Sequence, residues 1–316
     1  MTTTSCDVVV VGAGSAGIAA AIAAARNSAR VCLLERDATV GGNATNAMVG
    51  TICGLARCGR DAPRSPSFDN PGFAAEFSRR IASASSTSLT INDDGLAYLP
   101  YHEEALRSVM RDMLKETRGV SLVTQASLSS ISRSASDRDY QIVLAGDETK
   151  ELRTKAIIDS TGNAFVSKLL GLPVIAPKTP QAASLIFQLE RLPNLDERSL
   201  GFTLRKILIE ASREGIIPHH LTYVSVIPGS TRNATALCKL ATPSPPDPTN
   251  TTVGWEEAHK AVHEIVQTLR AQSKSFEYIQ HSYTAPRLGV RSGAMGVGEE
   301  RLSEEAVRLS ERHING

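Results

Sequence analysis

The stretch DVVVVGAGSAGIAAAIAAARNSARVCLLE, residues 7–35, constrains the fold more than any other part of the chain. Residues 6–11 form an apolar run broken only by Asp7, the pattern of a central parallel strand buried on both faces. Residues 15–27 have helical composition, with alanines small enough to pack closely on a sheet. Residues 30–34 read as a second buried strand, so the three segments make a βαβ-type opening.

Gly12, Gly14 and Gly17 form G-x-G-x-x-G at the first strand–helix turn, and each has its own task. Gly12 permits the tight turn, Gly14 lets a pyrophosphate approach the backbone, and Gly17 lets the helix lie close to the strand. An anion at that helix N-terminus meets unpaired N–H groups and the positive end of the dipole. Glu35 follows at the end of the second strand, where a carboxylate accepts hydrogen bonds from a ribose. Strand, helix, second strand and terminal acid in register point to a dinucleotide.

Composition narrows the partners. A net charge of +1 provides no field to draw nucleic acid or an anionic membrane. No apolar run approaches the roughly 20 residues of a membrane span. The start MTTTSCD lacks the basic, apolar and small-residue segments of a signal peptide. Cys6, Cys32, Cys53, Cys58 and Cys238 are an odd, scattered set, which suits a reducing cytoplasm better than a disulfide framework.

Beyond residue 36 a glycine-rich, polar loop is expected to about 71, then helices over 72–84 and 102–117. In the second helix Leu106, Val109, Met110, Met113 and Leu114 share one apolar face. Strands are expected at 120–124, 127–132, 140–145 and 156–162, followed by a helix to Leu170 that ends at Gly171. After Pro173 strand-like runs at 183–189, 221–227 and 234–241 surround a helix near 197–213, with another over 254–271 and a polar helix at the end. That texture reads as an inserted α+β unit.

Taken together, GGNAT (41–45), IDSTG (158–162), RLGVRSG (287–293) and the helix–strand segment YHEEALRSVMRDMLKETRGVSLVTQ resemble the FAD-dependent oxidoreductases of the glutathione-reductase/succinate-dehydrogenase type. The resemblance spans essentially the whole chain. It implies an α/β fold: a Rossmann-like, doubly wound FAD-binding domain over 1–172 and 286–316, with an inserted α+β substrate or cap domain over 173–285. It implies FAD as cofactor and hydride transfer between a small organic substrate and the flavin. By position, Gly12, Gly14, Ser15, Ala16 and Gly17 would hold the pyrophosphate. Glu35 and Arg36 would face the adenosine, Gly41, Gly42 and Asn43 the phosphate and ribityl side, and Leu128 the adenine through its backbone. Gly162 would let the returning strand pass close to the cofactor.

The sequence departs from the family pattern in two places. Asn163 stands where the family often has an acid after Thr-Gly, and the family chain runs on past the GVR-S segment, whereas this one stops at RLSERHING. A truncated product, a fragment, and a second polypeptide or homo-oligomer that completes the flavin pocket all remain open. An incomplete or non-catalytic FAD-binding subunit and an NAD-dependent dehydrogenase are the alternatives to the enzyme reading.

Candidates for chemistry are few. Arg291 could orient a substrate carboxylate or stabilise charge on reduced flavin, and it could equally be a structural arginine paired with an acid. Cys53 and Cys58 are spaced C-x₄-C, yet Cys53 lies too far beyond Gly42 for the disulfide-reductase arrangement, so two independent thiols are expected. His259 and His263 fall at i and i+4 on a helix without a recognised ligand set, which reads as a solvated face, and no metal is expected.

Overall fold

Thr3–Val11 (β1) carries apolar residues on alternate sides, and the computed structural model buries both. The structure describes residues 3–56, 72–92, 95–135, 139–145, 150–245, 247, 250–300 and 303–309. From β1 the chain enters α1 (Ser15–Arg26) and returns in β2 (Val31–Leu34). The next segment holds α2 (Asn43–Asn46) and β3 (Thr51–Cys53), so the polar stretch expected to be loop contains short regular structure in its described part. Then come α3 (Phe73–Ser85), β4 (Thr90–Ile91), β5 (Ala97–Pro100), α4 (Glu103–Glu116), β6 (Val120–Val123), β7 (Ser127–Arg133), β8 (Tyr140–Ala145) and β9 (Lys150–Asp159).

These elements build a six-stranded sheet in the order β6-β2-β1-β9-β8-β7. The first four strands are parallel, with Val11 beside Leu34 on one side and Asp159 on the other. Strands β7 and β8 join antiparallel. Pairing with β8 also explains why β9 starts at Lys150 and not at the expected 156: its first half, KELRT, alternates in burial because it runs beside that hairpin.

Val10 packs with Ile18, Ile22, Leu33, Leu106, Met110 and Met113 under α1, α3 and α4. Val9 and Val11 face the opposite side, against Ile131, Ile142, Leu144 and Leu152. Covering on both faces is what an all-apolar parallel strand demands. The five apolar residues expected along α4 are all buried, and full burial of Leu106 or Met110 stabilises by about 1.5–3 kcal/mol each over exposure.

After α5 (Phe165–Leu169), Gly171 at φ +67° ends the helix as expected. Following β10 (Val174–Ile175) come β11 (Ala183–Glu190), α6 (Glu197–Arg213), β12 (Val224–Val226), β13 (Ala236–Thr242), α7 (Thr252–Gln272), β14 (Gln280–Thr284), β15 (Met295–Gly296) and α8 (Glu304–Leu309). The run expected as a strand from 221 begins instead with a 3₁₀ turn, His219–Thr222. The last residues of the expected C-terminal helix lie outside the described residues.

Strands β12-β13-β11-β14 form an antiparallel sheet with β14 at its edge. Leu185, Phe187 and Leu189 meet Leu204 and Leu208 of α6 and Val262, Ile265 and Leu269 of α7 in a separate core. Asp196 starts α6 by accepting the Ser199 hydroxyl at 2.6 Å and the Ser199 N–H at 2.9 Å, and these bonds, the hydroxyl first, hold its carboxyl below the usual range. Among the described residues no helix is long and apolar enough to cross a membrane.

Candidate functional site

Strand β1 is the point where the parallel sheet changes direction, because β2 lies on one side of it and β9 on the other. Ligands of open α/β sheets sit at the carboxyl end of such a strand. Here that end is the turn Gly12–Ala13–Gly14. Gly12 has φ +98°, and a Cβ on it would lie 2.6 Å from Ser160 O. A Cβ on Gly17 would fall 1.8 Å from Gly12 O, so the helix can approach the turn only through a glycine. Gly14 differs: nothing lies within 4 Å of the position its Cβ would take.

Gly14 is also the N-cap of α1, and no side chain caps that end. The first i→i−4 bond runs from Ile18 N–H to Gly14 O at 3.0 Å, which leaves the N–H groups of Ser15, Ala16 and Gly17 without intrahelical acceptors. No acidic side chain occupies the first turn. The result is an uncompensated positive helix end beside open space.

Glu35, at 6% exposure, ties the end of β2 to this turn. Its Oε2 accepts the Ala13 N–H at 2.7 Å and its Oε1 the Asp37 N–H at 3.0 Å. Each oxygen keeps a further lone pair. Gly41 closes against the same turn, donating its N–H to Ala13 O at 2.8 Å. Asn43 reaches across to Val290, its Nδ2 donating to the carbonyl at 2.8 Å.

Two adjoining cavities open from here. One, of about 430 Å³, is walled by Gly12, Gly14, Glu35, Gly42, Leu128 and Phe165 among others. The second, of about 420 Å³, continues past Thr251, Leu288, Val290, Ser292 and Gly293. Arg36, Asp37, Asn43, Gly162, Asn163 and Arg287 belong to both walls. Between the cavities Arg287 grips Asp37 with two bonds of 2.6 Å. Asn163 stands on both walls, and its buried Oδ1 has no hydrogen-bond partner among the described residues.

These features fit the phosphate and nucleoside part of a dinucleotide. The helix end is uncapped, Gly14 leaves its approach clear, a carboxylate with spare lone pairs stands beside it, and a buried polar atom lacks a partner among the described residues.

Residues 7–315 match the sequence model of a family described as FAD dependent oxidoreductase. The chain belongs to that family. FAD is therefore its cofactor, and the family match gives no support to a nicotinamide enzyme. Among solved structures, the flavin-fold chain is similar to p-nitrophenol 4-monooxygenase PnpA from Pseudomonas putida DLL-E4, with 13% identity and a TM-score of 0.51 over 95% of this chain and 71% of that one. It is also similar to OxyS anhydrotetracycline hydroxylase from Streptomyces rimosus, with 13% identity and a TM-score of 0.52 over 93% of this chain and 54% of that one. At such identities the likeness is one of fold. No curated protein matches the sequence.

Of the positions expected from sequence in this FAD dependent oxidoreductase, Gly12, Gly14, Glu35, Arg36, Gly42, Asn43, Leu128 and Gly162 line the first cavity. Ser15, Ala16, Gly17 and Gly41 form the turn behind it. Arg291 is exposed and lies outside both walls, although its neighbours Val290 and Ser292 line the second cavity. It forms no ion pair among the described residues. The Lys239 ammonium is depressed by burial first and by the Arg291 charge second. Cys53 is exposed, and Cys58 lies outside the described residues, so the C-x₄-C spacing has no geometry to compare.

Asp37 and Arg287 escaped the sequence reading. Each had a faint signal: Asp37 follows Glu35 by two residues, and Arg287 opens the RLGVRSG segment. Pairing across 250 residues is invisible in either motif alone.

Proposed function

We propose that this chain is an oxidoreductase whose own residues hold the ADP half of FAD in the first cavity and direct the flavin end into the second. The observation that carries the reading is the open Cβ side of Gly14 beside an uncapped α1. The N–H groups of Ser15, Ala16 and Gly17 receive the pyrophosphate. Glu35 accepts from the adenosine ribose with its remaining lone pairs, Arg36 and the Leu128 backbone flank the adenine, and Gly41, Gly42 and Asn43 line the phosphate and ribityl side. Gly162 keeps the strand end clear of the cofactor, and Asn163 Oδ1 accepts a hydrogen bond from it.

FAD, when bound, supplies a two-electron carrier that exchanges a hydride with a carbon of a small organic substrate. The chain's part is to bind, orient and screen. Residues 1–172 and 286–316 act as the FAD-binding unit and 173–285 as a substrate or cap unit, a division supported by the separate core around β11, α6 and α7. Arg291 is the proposed contact for a substrate carboxylate.

Purification of the chain and a visible spectrum test this. A yellow protein with one flavin per chain is the expected result. A protein that stays colourless in excess FAD, or becomes yellow only with a co-expressed second polypeptide, overturns it. Enhanced NADH fluorescence in the absence of flavin would point to the nicotinamide alternative.

A further inference from the structure

On the far side of the second sheet the fold gathers three imidazoles. His259 and His263 sit one turn apart on α7, and His281 lies on the edge strand β14. One ring nitrogen from each falls within 4.8 Å of the others. The three rings touch pairwise, at centroid separations of 4.8, 5.4 and 5.8 Å.

Local structure aims these rings. In the β11–β14 pairing Gln188 faces Tyr283 and Leu189 faces His281, so Ser282 is an extra residue. Such a bulge re-aims side chains at a sheet edge. His281 Nε2 then donates to Tyr283 O at 3.1 Å and lies 2.5 Å from Thr284 Oγ1. That leaves Nδ1 as the bare nitrogen. His263 is fixed in the opposite sense: Nδ1 donates to His259 O at 3.0 Å, so Nε2 is bare. His259 stacks flat on Trp255 at 4.8 Å, and Trp255 is pinned by its Nε1 bond to Ala285 O. A ring N–H held by a carbonyl is the usual support of a metal-binding histidine.

We infer that His259, His263 and His281 form a site for a borderline-soft divalent cation, with zinc the best match. Three neutral imidazoles with an open fourth position suit zinc, whose bonds to nitrogen are about 2.0–2.1 Å. Tetrahedral geometry at that length needs nitrogens about 3.3 Å apart, so the rings close by up to about 1.5 Å. His263 is exposed and His259 and His281 are half-buried, which permits this. A cleft of about 320 Å³ beside His263 and His281 leaves room for a bound water. Arg270, the cation of that cleft, points away, with Nε and Nη2 donating to Ile279 O at 2.8 and 2.6 Å. The flavin cavities share no wall residue with this cluster, so the site stands independently of the cofactor reading.

The test is zinc chloride titration of the full chain by calorimetry after removal of metals with EDTA and gel filtration, with bound metal counted after dialysis. One zinc per chain is expected, with no comparable uptake of Mg²⁺, which prefers oxygen ligands. His263→Ala and His281→Ala should each weaken binding at least tenfold and abolish the zinc-dependent rise in Tm. His219→Ala, in a separate ring pair with Tyr223, should change neither. Because His263 is exposed, its variant should fold, and circular dichroism checks this. Zinc uptake that is unsaturable, or unchanged in folded His263→Ala, overturns the inference.

Discussion

Arg287 places its two terminal nitrogens on the two carboxylate oxygens of Asp37, each at 2.6 Å. The pair stands on the wall shared by both cavities, between the turn after β2 and the segment after β14. Asp37 also accepts from Asn46 Nδ2 at 3.2 Å, so its side chain is well anchored. The arginine is 41% exposed and the aspartate 14%, which limits the pair to about 1 kcal/mol. Arg287→Ala should lower Tm by a few degrees and change flavin affinity. Arg287→Lys should restore neither, since a single ammonium cannot reproduce the two parallel hydrogen bonds of the guanidinium fork. Melts and flavin titrations in which Arg287→Lys matches wild type would contradict this.

Gly14 and Gly17, three residues apart, should respond in opposite ways to alanine. At Gly14 a methyl group enters open space, so apo stability should stay within about 0.5 kcal/mol. The same methyl projects where the proposed pyrophosphate approaches, so flavin affinity should fall by at least tenfold. At Gly17 a Cβ would overlap Gly12 O at 1.8 Å, and both partners are backbone. The chain must shift, at a cost of about 1–3 kcal/mol or more. Thermal melts of both apo variants with parallel FAD titrations distinguish these outcomes, and equal destabilisation would refute the assignment.

This contrast shows which parts of the molecule are legible in the sequence. The geometry of the glycine turn could be read because its physics is local: Gly12 and Gly17 answer to atoms a few residues away or to one neighbouring strand. The α4 face was legible because burial on a helix repeats every 3.6 residues. What the sequence hid depends on distant partners. Arg287 meets Asp37 only after the chain has built the whole second sheet. His281 joins His259 and His263 only because a bulge at Ser282 turns the strand. Strand β14, QHSYT, carries no apolar alternation, since it is a partly exposed edge paired on one side. The early start of β9 was missed for a related reason: its first half is largely polar and owes its extended form to pairing with β1 on one side and β8 on the other.

Alkaline pH should expose the buried thiols. Burial pushes Cys238 from 9.0 up to about 12, and burial with the nearby Cys6 does the same to Cys32. The folded chain therefore keeps protons that the unfolded chain releases above pH 9. Their contribution is complete below pH 9 and is lost as pH rises toward 12. Each thiol costs about 1.4 kcal/mol per pH unit in that window. Cys238→Ala should start less stable because of the cavity, then lose stability with a shallower slope between pH 9 and 11. Chemical denaturation of both proteins across that range checks the slope difference, which a constant offset would contradict.

Asn163 offers a sharper test of cofactor contact than any glycine. Its Oδ1 is buried without a partner among the described residues, which costs about 1–3 kcal/mol in the absence of FAD. Deleting that oxygen in Asn163→Ala removes the penalty along with the small packing contribution of the side chain. Apo stability should therefore hold or rise. If Oδ1 accepts a hydrogen bond from bound FAD, the variant should bind FAD about tenfold more weakly, and its saturated Tm should fall below that of wild type. The sign of the mutational effect thus reverses between the empty and the loaded protein. Melts of both proteins with and without saturating FAD measure it. A loss of stability that is the same in both states would mean that Asn163 serves packing alone.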